Sequence, residues 1–107
     1  MILSAPINAN ANGDNQVVAG VAGKRIRCIG YVLMAGGTVN ATWKSSGGTL
    51  LSGAFPLVAQ AGAAAPQGPV APGGIQGWFE SATGEDLTLN LSAGVQVSGH
   101  LVYQLVL

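Results

Sequence analysis

Charge is what this chain lacks most. Four Lys or Arg and four Asp or Glu are all that 107 residues carry, 7% in total, and they cancel. An ordinary soluble domain has about a quarter charged residues and keeps its net charge away from zero. Without a net field, nothing draws in DNA, RNA or an anionic membrane from a distance. A surface this bare is easiest to maintain when other protein covers much of it. Cysteine is almost missing as well: Cys28 alone excludes an internal disulfide, so the fold does not depend on oxidation, which fits synthesis in a cytosol. Histidine is represented once, by His100. Long apolar runs are absent too. No charge falls between Ser45 and Phe79, but glycines and prolines from Gly47 to Gly74 break that stretch, and a spanning helix needs about 20 continuous apolar residues. Met1 to Pro6 has neither the basic start nor the apolar run of a secretory signal.

What is present is Gly, Ala, Val and Leu in short alternating phrases, with a hydrophobic fraction of 49% that suits a globular chain. A chain of 107 residues is one domain with one modest core. Residues 1–13 read as an extended arm ending in a turn and free to lie on a neighbouring subunit, with residues 14–107 as the domain proper. Gln16 to Val21 predicts a short strand. Lys24 to Met34 predicts the longest one, half-exposed at its start and apolar on both faces further on, as in a central strand covered on both sides. Val39, Ala41 and Trp43 alternate inward against Thr38, Asn40, Thr42 and Lys44. Thr49–Gly53 and Phe55–Ala59 are short extended pieces, the second placed at an edge or bulge by Pro56. Residues 60–74 read as a loop, since Pro66, Pro69 and Pro72 stop the Ala run from forming more than one helical turn. Ile75–Glu80 predicts a strand. Leu87, Leu89 and Leu91 alternate with Thr88, Asn90 and Ser92 in another, and Val95–Leu107 forms a long last one. No segment sustains a 3.6-residue period. Seven or eight short antiparallel strands joined by Gly-rich turns predict an all-β, single-domain β-sandwich, jelly-roll-like in strand number, with the strand order left open.

Residues able to do chemistry are few. A hydrolytic triad needs a nucleophile, a base and an orienting acid. His100 shares the polar side of the last strand with Gln96, Ser98 and Gln104, which reads as a surface or interface histidine. Cys28 falls on an inward parity and reads as an inert small hydrophobe, with no partners at metal-ligand spacing. Glu85 and Asp86 are neighbours and would face opposite sides of a strand, so they do not pair as catalytic carboxylates. The Gly pairs follow no phosphate-binding pattern. The expectation is therefore a protein that is not an enzyme and holds no cofactor or metal. Lys24, Arg25 and Arg27 make one basic cluster, too small for nucleic acid and better suited to an acidic patch on a partner protein. Asn40–Thr42 and Asn90–Ser92 match the N-glycosylation pattern by chance. Trp43 and Trp78 could stack sugars, but Trp43 shares its parity with Val39 and Ala41 and reads as core.

Four phrases together carry a resemblance. Val21–Arg27, Val39–Ser45, Gly84–Ser92 and Val97–Tyr103 make the chain, over most of residues 14–106, resemble small structural proteins of tailed-bacteriophage and prophage virions. The resemblance implies a β-sandwich subunit of the virion, made in the bacterial cytoplasm and most like a capsid decoration (cement) protein whose partner is the major capsid protein. It carries no site residues of its own. Such a protein is expected to be a trimer or dimer that touches neither nucleic acid nor membrane. The surfaces expected to meet a partner are the arm (Ile2, Leu3, Pro6, Ile7), the basic cluster (Lys24, Arg25, Arg27) and the long loop (Pro66, Pro69, Val70). A tail or fibre component that binds a host receptor or glycan is the alternative.

Overall fold

The computed structural model describes residues 2–65 and 78–107. Nine strands run through them: β1 Ile2–Ala9, β2 Gly13–Val18, β3 Arg25–Ala35, β4 Val39–Ser45, β5 Phe55–Leu57, β6 Gly62–Ala65, β7 Phe79–Glu80, β8 Leu87–Leu91 and β9 Val97–Val106. No helix occurs among the described residues.

The strands form two antiparallel sheets. One has the order β1-β9-β3-β6, with the short β7 also paired to β3; the other has the order β2-β8-β4-β5. The pairs β1·β9, β2·β8, β3·β6 and β4·β5 nest inside one another, first strand with last. A long antiparallel ribbon folded over on itself gives that order, and it is the jelly-roll wrap of a β-sandwich. Between the sheets lies a single core of Ile7, Ile26, Leu33, Val39, Trp43, Leu87, Leu89, Leu91, Val97 and Leu101 with their smaller neighbours. In β4 and β8 the residues expected inward, Val39, Ala41, Trp43, Leu87, Leu89 and Leu91, are all buried; Thr88, expected outward, is covered too and donates its hydroxyl to the Lys44 carbonyl.

Three segments differ from the sequence reading. Residues 2–9 are extended but not free. They form the outer strand of the first sheet, pairing with β9 from Ile2 opposite Gln104 to Ala9 opposite Val97. The physical reason is a period-2 pattern of Leu3, Ala5, Ile7 and Ala9 that turns inward, with Ile7 and Ala9 fully in the core. Pro6, which has no N–H to give, sits on this edge strand, where proline is tolerated. Residues 62–65, expected within a loop, pair with β3 from Met34 to Tyr31. Gly62 permits the close approach, because a Cβ there would run into the Leu33 carbonyl oxygen. Residues 66–74 of the expected loop, and residues 75–77 of the expected strand 75–80, lie outside the described residues.

The third difference is in β3. Its pairing with β9 skips Ile29 between Cys28 and Gly30, a β-bulge. One extra residue reverses the parity of the rest of the strand. Ile26 and Cys28 point inward before the bulge; Tyr31, Leu33 and Ala35 do so after it. Val32 and Met34 are thereby turned outward, 44% and 56% exposed. The far end of this strand is not covered on both sides, as the sequence suggested, but presents two large apolar side chains to solvent.

Candidate functional site

The charged residues show how little of the surface is available for ionic recognition. Glu80 accepts from Arg27 Nε at 2.8 Å and Nη2 at 2.7 Å, with Arg25 at 3.7 Å. Asp14 lies 3.4 Å from Lys44 and accepts from the Asn90 amide at 2.7 Å. Asp86 accepts the Gly20 N–H at 2.6 Å. Glu85 accepts the Ser45 hydroxyl and the Gly47 N–H, and these two donors hold its carboxyl below the ordinary carboxylate range. All four carboxylates are thus engaged within the fold. The basic cluster expected to face a partner is mostly spent as well: Arg25 and Arg27 close on Glu80, and only Lys24 makes no ion pair among the described residues. Sequence reasoning missed this because Glu80 stands 53 positions from Arg27; β7 pairing with β3 brings Glu80 opposite it.

The other expected contact residues are scattered by the fold. Ile2 and Pro6 are exposed and Leu3 is half-buried, but Ile7 is core and is not available to a partner. Pro66, Pro69 and Val70 lie outside the described residues. Cys28 is fully buried, and burial pushes its thiol up to about 12, so it is an inert filler. His100 lies on the exposed side of β9. Among the described residues no three of His, Cys, Asp and Glu come close enough to hold a metal ion.

The two outer faces of the sandwich differ in kind. On the β2-β8-β4 sheet, Asp14 stands opposite Asn90 and Asn90 opposite Thr42; Gln16 stands opposite Thr88 and Thr88 opposite Lys44. That face is polar and carries an ion pair. On the β1-β9-β3-β6 sheet, one cross-strand row is Pro6, His100, Val32 and Ala64, and the next is Asn8, Ser98, Met34 and Gly62. Ile2, 51% exposed, and Val102 extend it toward the far end, where Arg25 and Arg27 are neutralised by Glu80. This face is mostly small or apolar and holds no carboxylate in its middle rows.

Of the two tryptophans, Trp43 is fully buried. Its indole N–H has no acceptor in bonding geometry among the described residues; Tyr31 packs edge-on at 5.1 Å and Phe79 tilts against it at 5.8 Å. Trp78 is 47% exposed at the mouth of a cleft beside these rings. Compared with protein-family models, curated proteins and solved structures, the chain matches none.

Proposed function

We propose that this chain is a structural subunit of a tailed-phage virion, a decoration protein that binds the assembled capsid and stabilises it. Its partner is the major capsid protein, and its own copies associate as a trimer or dimer on the capsid surface. The observation that carries the reading is the asymmetry of the sandwich: a polar face on one sheet, and on the other a mostly small or apolar face, its charges confined to the cluster of Arg25, Arg27 and Glu80 at one end, from which Val32 and Met34 protrude. The sequence resemblance adds the virion setting.

A ligand that binds only the assembled state stabilises it by mass action, about 2.7 kcal/mol per site when present at 100 times its Kd. Repetition over a shell multiplies modest contacts. The contact belongs to the face of the β1-β9-β3-β6 sheet rather than to an arm, since residues 2–9 are part of that sheet.

The test is to add purified chain to purified phage heads that lack it. Saturable binding and a higher temperature for DNA release are expected. Heads that bind none of it, with a correctly folded chain, would remove the proposal. A tail or fibre role draws support from Trp78 alone, half-exposed at its cleft; Trp43, being core, is no sugar platform.

A further inference from the structure

The cleft beside Trp78 lies at the open edge of the sandwich, between the edge strand β5 of one sheet and β6 and β7 of the other. Tyr31, Leu51, Phe55, Trp78 and Phe79 line it with Ser52 and Ala64, around a volume of about 370 Å³. Ligand sites commonly fall between about 300 and 1,000 Å³, and a dry cavity of about 150 Å³ already takes benzene, so this cleft has room for one or two rings.

Its walls are fixed by backbone bonds. The Leu51 N–H donates to the Trp43 carbonyl at 2.8 Å, the Trp43 N–H to the Ser52 hydroxyl at 3.0 Å, and the Trp78 N–H to the Cys28 carbonyl at 2.8 Å. The rings also brace each other, with Tyr31 6.3 Å from Phe55 and 5.1 Å from Trp43 behind it. A site so held loses little freedom when it binds.

The lining decides the chemistry of the occupant. None of its described residues is charged. The Ser52 hydroxyl is already used in both directions, accepting from Trp43 and donating to the Gly53 carbonyl at 2.8 Å. The Tyr31 phenol, neutral at ordinary pH in any case, is pushed further up by burial. Among the described lining residues there is no side-chain carboxylate, amide or guanidinium group, and Glu80, next to Phe79, is committed to Arg27. We infer that this cleft is a binding site for a neutral, apolar, ring-bearing small molecule. The inference goes beyond the virion reading and does not depend on it.

The test is a titration of the whole folded chain with the neutral dye N-phenyl-1-naphthylamine, monitored by fluorescence. One saturable site per chain is expected. Trp78→Ala should weaken it at least tenfold, while Trp78→Phe, which keeps a ring, should hold it within about threefold. Met34→Lys, on the sheet face outside the cleft, should leave it within twofold. A maltohexaose arm should not displace the dye. Absence of saturable binding, an unchanged Kd in Trp78→Ala, loss of binding in Met34→Lys, or displacement by the sugar would each overturn the assignment. Thermal melts of each variant establish that loss of dye binding is not loss of fold.

Discussion

Replacing Val32 and Met34 together by lysine should weaken the proposed capsid binding by about tenfold or more and spare the fold. Full burial of a Val or Met side chain relative to full exposure contributes about 1.5–3 kcal/mol. Within the free chain these two already bury roughly half of that, since 44% and 56% of their surface remains open. Covering the remainder at an interface is therefore worth roughly 1.5–3 kcal/mol for the pair, and at 1.4 kcal/mol per tenfold this is about 10- to 150-fold in affinity. Lysine removes that gain and adds a charge whose desolvation costs more than the methyl groups returned, although its stem can partly reach around. Against the free fold the change is mild. Surface substitutions stay within about 0.5 kcal/mol, which for a chain of this size moves Tm by roughly 2–4 °C. The assay is co-sedimentation of wild-type and Val32→Lys/Met34→Lys chains with purified phage heads, beside a Gln16→Lys control on the polar sheet. The reasoning fails if the double variant, with its melt preserved, sediments as well as wild type, or if the control is the variant that lets go.

The same geometry sets three further outcomes. Deleting residues 2–9 should cost well over the roughly 1.5–3 kcal/mol of burying Ile7 alone, because it also uncovers β9; a melt as high as wild type would show the strand to be dispensable. Glu85 is held below the ordinary carboxylate range, so its contribution is complete above that range and fades as pH falls through it toward the folded value; Glu85→Gln should flatten the drop in Tm between about pH 5 and pH 3, and parallel wild-type and variant profiles would refute this. Cys28, buried with its thiol pushed up to about 12, should react with a disulfide reagent at pH 8 only after denaturant unfolds the chain; fast reaction of the native protein would contradict its burial.

Much of the sandwich is legible along the chain, and the reasons it is not fully so are physical. The Val39–Trp43 and Leu87–Leu91 phrases declare their inner sides because apolar residues there alternate with polar ones, the condition under which a period of two is cleanest. β1 carries the same period in Leu3, Ala5, Ile7 and Ala9, yet two small alanines on the inward side and apolar Ile2 and Pro6 on the outward side weaken the signal, and its pairing partner is at the other end of the chain. β6 is Gly-Ala-Ala-Ala, without β-branched or aromatic residues; only its place beside β3 makes it a strand. The bulge at Ile29 leaves no mark in composition, so unbroken alternation puts Val32 and Met34 on the covered side and hides the apolar character of that outer face. The arginine cluster is visible but its neutralisation is not, because Glu80 reaches it only through the fold. The aromatic cleft gathers Tyr31, Phe55, Trp78 and Phe79 from three strands and a connection, a grouping that no spacing foretells.

The proposed decoration role requires the mostly apolar side of the β1-β9-β3-β6 sheet to be covered by a neighbour in the assembled particle. Met34 reports on it directly, since it is half-exposed in the free chain and oxidises readily. Hydroxyl-radical footprinting with mass spectrometry, on the free chain and on the chain assembled onto phage heads, gives its rate in each state. Several-fold protection of Met34 and Val32 on the particle, with Gln16 and Asn40 on the opposite face unprotected, is the expected result. Equal rates at Met34 in both states, or protection confined to the polar face, would contradict the account.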